Sequence, residues 1–109
     1  MTVDTAFRAL AEPRRREILK LVWTDELPAT QIATRFDDVT RSAVSQHLGV
    51  LREAELVIER RDGTRRFYRA NHAQMDRLRQ FFDEYWTGSL QRLQDLAESA
   101  EREKGTTDG

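Results

Sequence analysis

Apolar side chains recur at steps of three and four residues through the first half of the chain, the spacing that lines one face of an α-helix. The pattern predicts a first helix with the apolar residues Val3, Phe7, Leu10 and Ala11. It predicts a second helix with the apolar residues Ile18, Leu19, Val22 and Trp23. Pro13 suits the first turn of that second helix, where its missing N–H costs nothing. A third, short helix ends near residues 37 and 38 and carries Ile32, Ala33 and Phe36.

The fourth helix is predicted to run from Thr40, whose hydroxyl suits an N-cap, to about Ala54. Val44, Leu48 and Leu51 follow helical spacing and are expected in the core. The opposite face then carries small or polar residues, namely Ser42, Ser45, Gln46 and Gly49. A solvated helix face is ordinarily rich in long charged side chains, so this face indicates a bulky partner that approaches closely. The major groove of DNA is one such partner.

The pattern changes to strand character over residues 56–70, where two β-prone runs flank Asp62-Gly63, a strong signal for a tight hairpin. With these two residues as the turn, Arg61 pairs with Thr64 and Arg60 lies opposite Arg65. The same register pairs Glu59 with Arg66, Ile58 with Phe67 and Val57 with Tyr68. Two opposed arginines repel each other, and either a phosphate or solvent alone would relieve the repulsion. The hairpin is expected to be apolar at its base and cationic at its tip.

Helical spacing returns from about Asn71 to about Glu103 and predicts one long final helix. Its main apolar row has coiled-coil-like steps and consists of Met75, Leu78, Phe82, Tyr85, Ser89, Leu93, Leu96 and Ala100. Further apolar residues widen this row beyond what one packing partner covers, so a second subunit is expected against it. The chain of 109 residues is long enough for one domain. Residues 1–104 are assigned to that domain and residues 105–109 to a disordered tail.

Charge is unevenly distributed along the chain. The net charge is -1, yet residues 41–69 contain seven arginines against four carboxylates. A basic middle segment favours a nucleic acid as partner. All of the 18 basic residues except Lys20 and Lys104 are arginine, whose planar guanidinium suits phosphates and guanine edges. Genome base composition produces the same bias, so the clustering of the arginines carries more weight than their number.

Several function classes are disfavoured by composition. The chain has no cysteine, which removes disulfides, thiol nucleophiles and thiolate metal sites. It has no phosphate-binding glycine loop and no recognisable serine, histidine and acid arrangement, so no catalytic residues, no enzyme activity and no cofactor are expected. Asp83 and Glu84 have no histidine beside them at ligand spacing, so no metal site is expected. No apolar run approaches the ~20 residues of a membrane helix and no signal peptide is seen, which predicts no membrane partner and a cytoplasmic location.

Four segments carry motifs that occur together in one known family. They are ALAEPRRREILKLV (9–22), SAVSQHLGVLREAELV (42–57), RRDGTRRFYRAN (60–71) and FFDEYWTGSLQRL (81–93). Together they resemble the ArsR family of bacterial repressors, in its branch without metal-binding cysteines. The resemblance implies a mainly α fold with a small β-hairpin, a winged helix-turn-helix of order α-α-α-α-β-β-α with N- and C-terminal dimerisation helices. The fourth helix would be the recognition helix and the hairpin the wing.

Two positions depart from the family pattern. Glu55 stands where the family usually has a glycine that ends the recognition helix in a left-handed conformation. The turn at residues 37–40 is one residue longer than usual, which leaves open the angle between the two helices that it joins.

By this resemblance the chain is expected to be a homodimeric repressor that binds double-stranded DNA at a palindromic operator without responding to a metal. Which effector releases it is not predicted. The expected groove contacts are Thr40, Arg41, Ser42, Ser45 and Gln46. Gln46 is the best base reader because glutamine pairs bidentately with adenine. The expected phosphate contacts are Arg14, Arg15, Arg52, Arg65 and Arg66.

Two further assignments complete the predicted surface. His47, at the edge of the buried row, is counted with the DNA-binding residues through helix packing or backbone contact rather than as a metal ligand. The expected dimer interface consists of Val3, Phe7, Leu78, Phe82, Tyr85, Ser89, Leu93 and Leu96. The alternative function is a protein-interaction module that uses the helical dimer, in which the helix-turn-helix does not bind DNA.

Overall fold

The computed structural model describes the backbone of residues 3–107 and their side chains, except those of residue 89 and residues 103–107. The elements in chain order are α1 (Val3–Leu10), α2 (Pro13–Leu21), β1 (Leu27–Pro28), α3 (Ala29–Ala33), α4 (Arg41–Glu53), β2 (Val57–Asp62), β3 (Arg65–Ala70) and α5 (His72–Thr107). This order confirms the predicted helices and hairpin and adds one short strand. Two compact units meet in sequence between Met75 and Asp76. Helix α5 extends past its predicted end near Glu103, and residues 108 and 109 of the predicted tail lie outside the described residues.

Helix α1 packs through small side chains rather than through its larger apolar ones. Ala6 and Ala9 are buried, whereas Val3, Phe7 and Leu10 are only half-buried. Small residues allow α1 to lie close to its neighbours in the core. The larger side chains of α1 therefore remain partly available to a partner.

Helix α2 begins as predicted at Pro13, and the carboxylate of Glu12 accepts a hydrogen bond from the Arg14 N–H at 3.0 Å. Ile18, Leu19 and Val22 are buried as expected. The prediction that Trp23 joins them was wrong, since Trp23 is 38% exposed. The helix ends at Leu21, so Trp23 no longer follows helical spacing. Its ring instead meets that of His72 edge-on with centroids 4.6 Å apart.

Helix α4 has the boundaries and the orientation that the sequence predicts. The hydroxyl of Thr40 accepts a hydrogen bond from the Ala43 N–H at 3.0 Å, which makes Thr40 the N-cap. Val44, Leu48 and Leu51 are buried, whereas Ser42, Ser45 and Gln46 are exposed and Gly49 is half-buried. Helix α3 ends at Ala33, earlier than predicted, so residues 34–40 form the connection to α4.

That longer connection is held against α2 by one arginine. Arg14 forms an ion pair with Asp38, and its guanidinium lies over the ring of Phe36 at 5.7 Å from the centroid. Both contacts join the connection to the first turn of α2. The connection is thus held to α2 by specific contacts.

Helix α4 ends in a left-handed turn at Glu55, whose φ is 58° and which is the only non-glycine residue among those described with a positive φ. The Glu55 N–H donates to the Arg52 carbonyl and the Leu56 N–H to the Leu51 carbonyl, both at 2.9 Å. This pair of bonds defines a Schellman motif, and the buried Leu51 and Leu56 complete it. The amide of Asn71 donates to the Glu55 carbonyl at 2.9 Å. Glu55 thus adopts the left-handed conformation that was expected of a glycine at this position.

The sheet has three antiparallel strands in the order β1-β3-β2. Strand β1, which was not predicted, pairs Leu27 with Tyr68 and Pro28 with Phe67. Two residues that include a proline are too short to show strand alternation, so the sequence pattern gave no sign of β1.

The predicted hairpin register was wrong by two residues. Asp62 pairs with Arg65, and the two loop residues are Gly63 and Thr64 rather than Asp62 and Gly63. Gly63 has a φ of 63°, and a glycine at the first loop position suits a type II′ turn. A shift of two residues leaves each side chain on its predicted face but changes every opposed pair. The predicted pair Arg60 and Arg65 is replaced by Arg60 opposite Phe67, and Arg61 lies opposite Arg66.

The left-handed residue generates a stability prediction. Glu55→Gly is expected to be more stable than Glu55→Ala by about 1 kcal/mol, because a Cβ costs roughly 1–2 kcal/mol in this conformation and the flexibility of glycine in the unfolded chain offsets part of the gain. Urea unfolding of both variants measures the difference. The alanine variant is the matched control, since it also removes the carboxylate. Equal stability of the two variants would show that Glu55 is not strained.

Candidate nucleic-acid interface

Helix α4 presents a continuous stripe of residues on its exposed side. Ser42, Ser45, Gly49 and Arg52 follow one another at steps of three and four, and Gln46 lies beside them. We call these five residues the α4 stripe. A Cβ at Gly49 would meet no atom within 4 Å, so no contact of the described chain requires a glycine there. Ser45 and Gly49, in the middle of this row, have no large side chain, and Arg52 places a cation at its C-terminal end.

Two of the predicted phosphate contacts are engaged within the chain near the start of α4. Arg14 binds Glu17 at 2.9 Å in addition to Asp38. The Nε–H of Arg15 donates to Nδ1 of His47 at 3.3 Å. An accepting Nδ1 assigns the imidazole proton to Nε2, which leaves His47 a second nitrogen that donates. The structure therefore brings Arg15 and His47 together, while Arg14 holds the connection to α2.

The two faces of the hairpin differ in chemistry, and strand alternation assigns each residue to a face. The outer hairpin face consists of Ile58, Arg60, Asp62, Arg65, Phe67 and Arg69. The inner hairpin face consists of Val57, Glu59, Arg61, Arg66, Tyr68 and Ala70. Val57, Tyr68 and Ala70 are buried, so the inner hairpin face joins the core at its base.

On the outer hairpin face two arginines flank one aromatic ring. The guanidinium carbons of Arg60 and Arg65 lie 4.5 and 4.9 Å from the ring centroid of Phe67. Arg60 also binds the Glu26 carboxylate, with nitrogen to oxygen distances of 2.6 to 3.1 Å. The hydrogen bond from Arg60 holds the pKa of Glu26 below its usual range. Arg60 is therefore committed to the fold, whereas Arg65 forms no ion pair with the residues whose side chains are described.

On the inner hairpin face one carboxylate joins three structural elements. Glu59 on β2 accepts hydrogen bonds from Arg52 of α4 at 2.8 Å, from Arg61 of β2 at 3.0 Å and from the hydroxyl of Tyr68 on β3 at 3.1 Å. The Glu59 side chain is only 10% exposed. We call Glu59, Arg52, Arg61 and Tyr68 the Glu59 network. Arg66 lies opposite Arg61 at the edge of the network, close enough for its positive charge to act on the Tyr68 hydroxyl.

The network changes the ionisation of its members. Burial raises the pKa of Glu59, but the hydrogen bonds from Arg61, Arg52 and Tyr68 outweigh burial and hold this pKa below its ordinary value. Burial, followed by the negative charge of Glu59, raises the pKa of Tyr68. Glu59 is therefore ionised and Tyr68 protonated at neutral pH, the states that their hydrogen bond needs.

Sequence reasoning missed Glu59, Arg61 and Tyr68 as a group. The assumed register placed Glu59 opposite Arg66, whereas the structure pairs Glu59 with Tyr68. A turn at Gly63 and Thr64 would have produced the observed pairs. The useful signal was a single carboxylate among arginines on the strand face that begins with the apolar Val57.

The residues predicted for a dimer interface occupy two separate surfaces. On α1, Val3 and Phe7 are half-buried. On α5 the exposed large apolar residues are Phe81, Phe82, Tyr85, Trp86, Leu90, Leu93 and Leu96, which we call the α5 apolar surface. Tyr85 is 70% exposed, whereas Leu78 is 4% exposed and so is not part of that surface. The side chain of Ser89 lies outside the described residues.

Two other classes of site are absent from the part of the chain that the structure describes. No helix among the described residues is long and apolar enough to cross a membrane. Within the same part of the chain, no group of three or more histidine, aspartate or glutamate side chains is arranged to hold a metal ion.

Comparison with known proteins places this geometry in a family. A family model described as a helix-turn-helix domain matches residues 10–60. The chain is 40% identical to the HTH-type transcriptional regulator Rv2034 of Mycobacterium tuberculosis, over 88% of this chain and 89% of that protein. It is 32% identical to the arsenical resistance operon repressor of Staphylococcus xylosus, over 74% of this chain and 77% of that protein. The chain belongs to the ArsR family of transcriptional regulators.

A solved structure extends the ArsR comparison to the fold. The homodimeric winged helix-turn-helix DNA-binding domain of a possible ArsR-family regulator from Mycobacterium bovis matches with a TM-score of 0.62 at 31% identity. The match covers 72% of this chain and 73% of that one. The expected winged helix-turn-helix fold is thereby confirmed. In this winged helix-turn-helix fold the hairpin of β2 and β3 is the wing, and α4 is the helix predicted to be the recognition helix.

The Glu59 network generates a prediction on pH. Because the folded-state pKa of Glu59 is lowered, its contribution to stability is complete above the unfolded glutamate pKa of about 4.3 and is lost as the pH falls through the lower folded value. Glu59→Gln is expected to destabilise by about 1–3 kcal/mol at pH 7, since it weakens hydrogen bonds to charged donors. The difference from wild type, measured by urea unfolding, should shrink below about pH 4.

Glu53→Gln provides the control for this experiment, because Glu53 lies on α4 beside Arg52 but is exposed and makes no hydrogen bond to the wing. Its stability difference from wild type should stay small across the same range. A Glu59→Gln difference that is as large at pH 3 as at pH 7 would contradict the role assigned to the ionised carboxylate.

Proposed function

We propose that this chain is a homodimeric, sequence-specific DNA-binding repressor that binds a palindromic operator and does not respond to a metal ion. The α4 stripe would enter the major groove, and the wing would contact the backbone beside it. The observation that carries the proposal is that the polar residues of the α4 stripe are exposed on a helix whose other face is buried in the core, namely Ser42, Ser45, Gln46 and Arg52.

The α4 stripe has the chemistry that groove recognition requires. Gln46 is exposed and carries an amide that pairs bidentately with adenine. Ser42 and Ser45 offer hydroxyls that bond either to bases or to phosphates. Exposed Arg41 at the start of the helix supplies a cation next to them. Open space around Gly49 allows the groove to lie close to the helix backbone.

The wing supplies the charge that backbone binding requires. Arg65 and Arg66 are exposed near the hairpin turn, on its outer and inner faces. Phosphate contacts from such residues position a protein on DNA and make its affinity depend on salt. Arg15 and His47 would add a contact at the other end of the helix-turn-helix.

The dimer is supported by the α5 apolar surface, because soluble proteins rarely leave large contiguous apolar patches exposed. The M. bovis relative is a homodimer by its own description. A twofold dimer would present two recognition helices to half-sites separated by about one turn of DNA, roughly 34–36 Å, hence the palindromic operator. The absence of cysteine supports a release signal other than a metal bound by thiolates.

The DNA-binding proposal is tested by selection of duplexes from a random library with the purified protein. We expect wild type to enrich one palindromic sequence and to bind it with strong salt dependence. Arg65→Ala/Arg66→Ala should lower the slope of log affinity against log salt by about two, since each lost phosphate contact removes about one. Fluorescence anisotropy at several salt concentrations measures the slope.

The control for the wing variant is Arg77→Ala/Arg102→Ala, which removes the same charge from α5 and should leave the slope unchanged. Failure of wild type to enrich any duplex would refute the proposal. Capture of a stoichiometric protein partner that survives substitution of Gln46 and the wing would favour the interaction module instead.

The dimer proposal predicts that charges on the α5 apolar surface separate the subunits. Leu93→Glu/Leu96→Glu should weaken dimerisation by at least about 100-fold, because each buried charge costs several kcal/mol. Sedimentation equilibrium measures the dissociation constant. Gln80→Glu/Gln91→Glu adds the same charge on the opposite side of α5 and should stay dimeric. A Leu93→Glu/Leu96→Glu variant that sediments as wild type would exclude this surface.

A further inference from the structure

We propose that Glu59 is a positioning residue for DNA binding, which holds the guanidiniums of Arg52 on the recognition helix and Arg61 on the wing as one preformed phosphate site. This inference rests on the proposed function and adds to it Arg61, a contact absent from the sequence-based set, and the carboxylate that orients it. By this proposal, side chains as well as the backbone connect the wing to the recognition helix.

The first support is the connectivity of the Glu59 network. A carboxylate has about four acceptor positions, and Glu59 uses three of them on donors from α4, β2 and β3. A buried group shared by three elements is fixed in position by all of them. Arg52 and Arg61 are consequently held on one anchor, although they lie on different elements.

The second support is an excess of positive charge that the carboxylate does not neutralise. Glu59 and the nearby Glu53 carry two negative charges, against the three positive charges of Arg52, Arg61 and neighbouring Arg66. Each guanidinium has five N–H donors, and Arg52 and Arg61 give one each to Glu59. Both side chains remain exposed. The remaining donors and the surplus charge suit an anion with several oxygens, such as a backbone phosphate.

The third support is the place of the network on the surface. Arg52 is the last residue of the α4 stripe, one helical step after Gly49. The surface that would face the groove therefore leads directly to the Glu59 network. A phosphate bound there would lie where the DNA backbone passes from the recognition helix to the wing.

The Glu59 network would favour DNA binding because it preorganises the side chains of Arg52 and Arg61. A free arginine side chain loses rotamer freedom when binding immobilises it, whereas one already held by a carboxylate has lost that freedom on folding. Loss of Glu59 should therefore weaken binding to the selected duplex more than binding to scrambled DNA. Scrambled DNA would contact the same arginines without a fixed geometry. Removal of a negative charge should by itself strengthen binding to any duplex.

The test compares wild type, Glu59→Gln and Glu53→Gln for binding to the duplex selected by wild type and to a scrambled duplex. Both substitutions remove one carboxylate beside Arg52, but Glu53 acts on Arg52 only through its charge. Both variants should bind scrambled DNA somewhat more tightly than wild type. The ratio of selected to scrambled affinity should stay within about twofold for Glu53→Gln and fall by about tenfold or more for Glu59→Gln. Equal ratios in the two variants would overturn the proposal.

Circular dichroism verifies that Glu59→Gln is folded at the assay temperature. If it is not, Tyr68→Phe replaces it, because this substitution keeps the buried ring and the net charge but removes one hydrogen bond to Glu59. Its ratio should fall by about threefold, and an unchanged ratio would also overturn the proposal. A wild type that enriches no duplex refutes the proposed function itself, so the two failures are distinguishable.

The Arg61→Gln variant tests directly whether Arg61 contacts a DNA phosphate. Its salt slope should be lower than that of wild type by about one. Arg69→Gln, which lies on the outer hairpin face near the base of β3, is the control and should keep the wild-type slope. An unchanged slope for Arg61→Gln would remove Arg61 from the phosphate site and overturn the paired role of Glu59.

Discussion

Burial of Val44, Leu48 and Leu51 is the constraint on which the rest of the arrangement depends. Three apolar side chains on one face leave α4 a single favourable rotation about its own axis, because any other would expose them to water. That rotation turns the α4 stripe outward. The surface that we propose for the groove is therefore a consequence of core packing, and a substitution that disturbs the buried row would also displace the polar one.

The way in which α4 ends determines where the wing can lie. The left-handed turn at Glu55 reverses the chain so that β2 starts directly beside the last turn of α4. Asn71 fixes this turn from the other end of the hairpin through the Glu55 carbonyl, and its side-chain oxygen also accepts from the Gln74 N–H at the start of α5. Helix end, hairpin and final helix thus share one hydrogen-bonded junction. Glu59, the carboxylate at the centre of the Glu59 network, lies a few residues further along on β2.

Carboxylates organise the basic surface of this protein. Asp38 and Glu17 hold Arg14, Glu26 holds Arg60, and Glu59 holds Arg52 and Arg61. A chain with a net charge of -1 can therefore present ordered cations where a polyanion would bind. Exposed ion pairs of this kind contribute little to stability on their own. Their consequence here is geometric, since each restricts a long side chain to one direction.

Local sequence patterns by themselves determined the order of the helices, the capping of α4 by Thr40, its buried row and the existence of the hairpin. Each of these depends on residues within a few positions of one another, through helical periodicity or turn chemistry. Tertiary structure alone decided the pairing of β1 with β3, the exposure of Trp23, the register of the hairpin and the meeting of Arg52, Arg61 and Tyr68 at Glu59. Asp62-Gly63 and Gly63-Thr64 both permit a two-residue turn. The structure has the second turn, and in its register Val57 pairs with Ala70 and both are buried in the core. Contacts between residues distant in sequence depend on the packing of whole elements, so short-range patterns predict the elements but not the partners of their side chains.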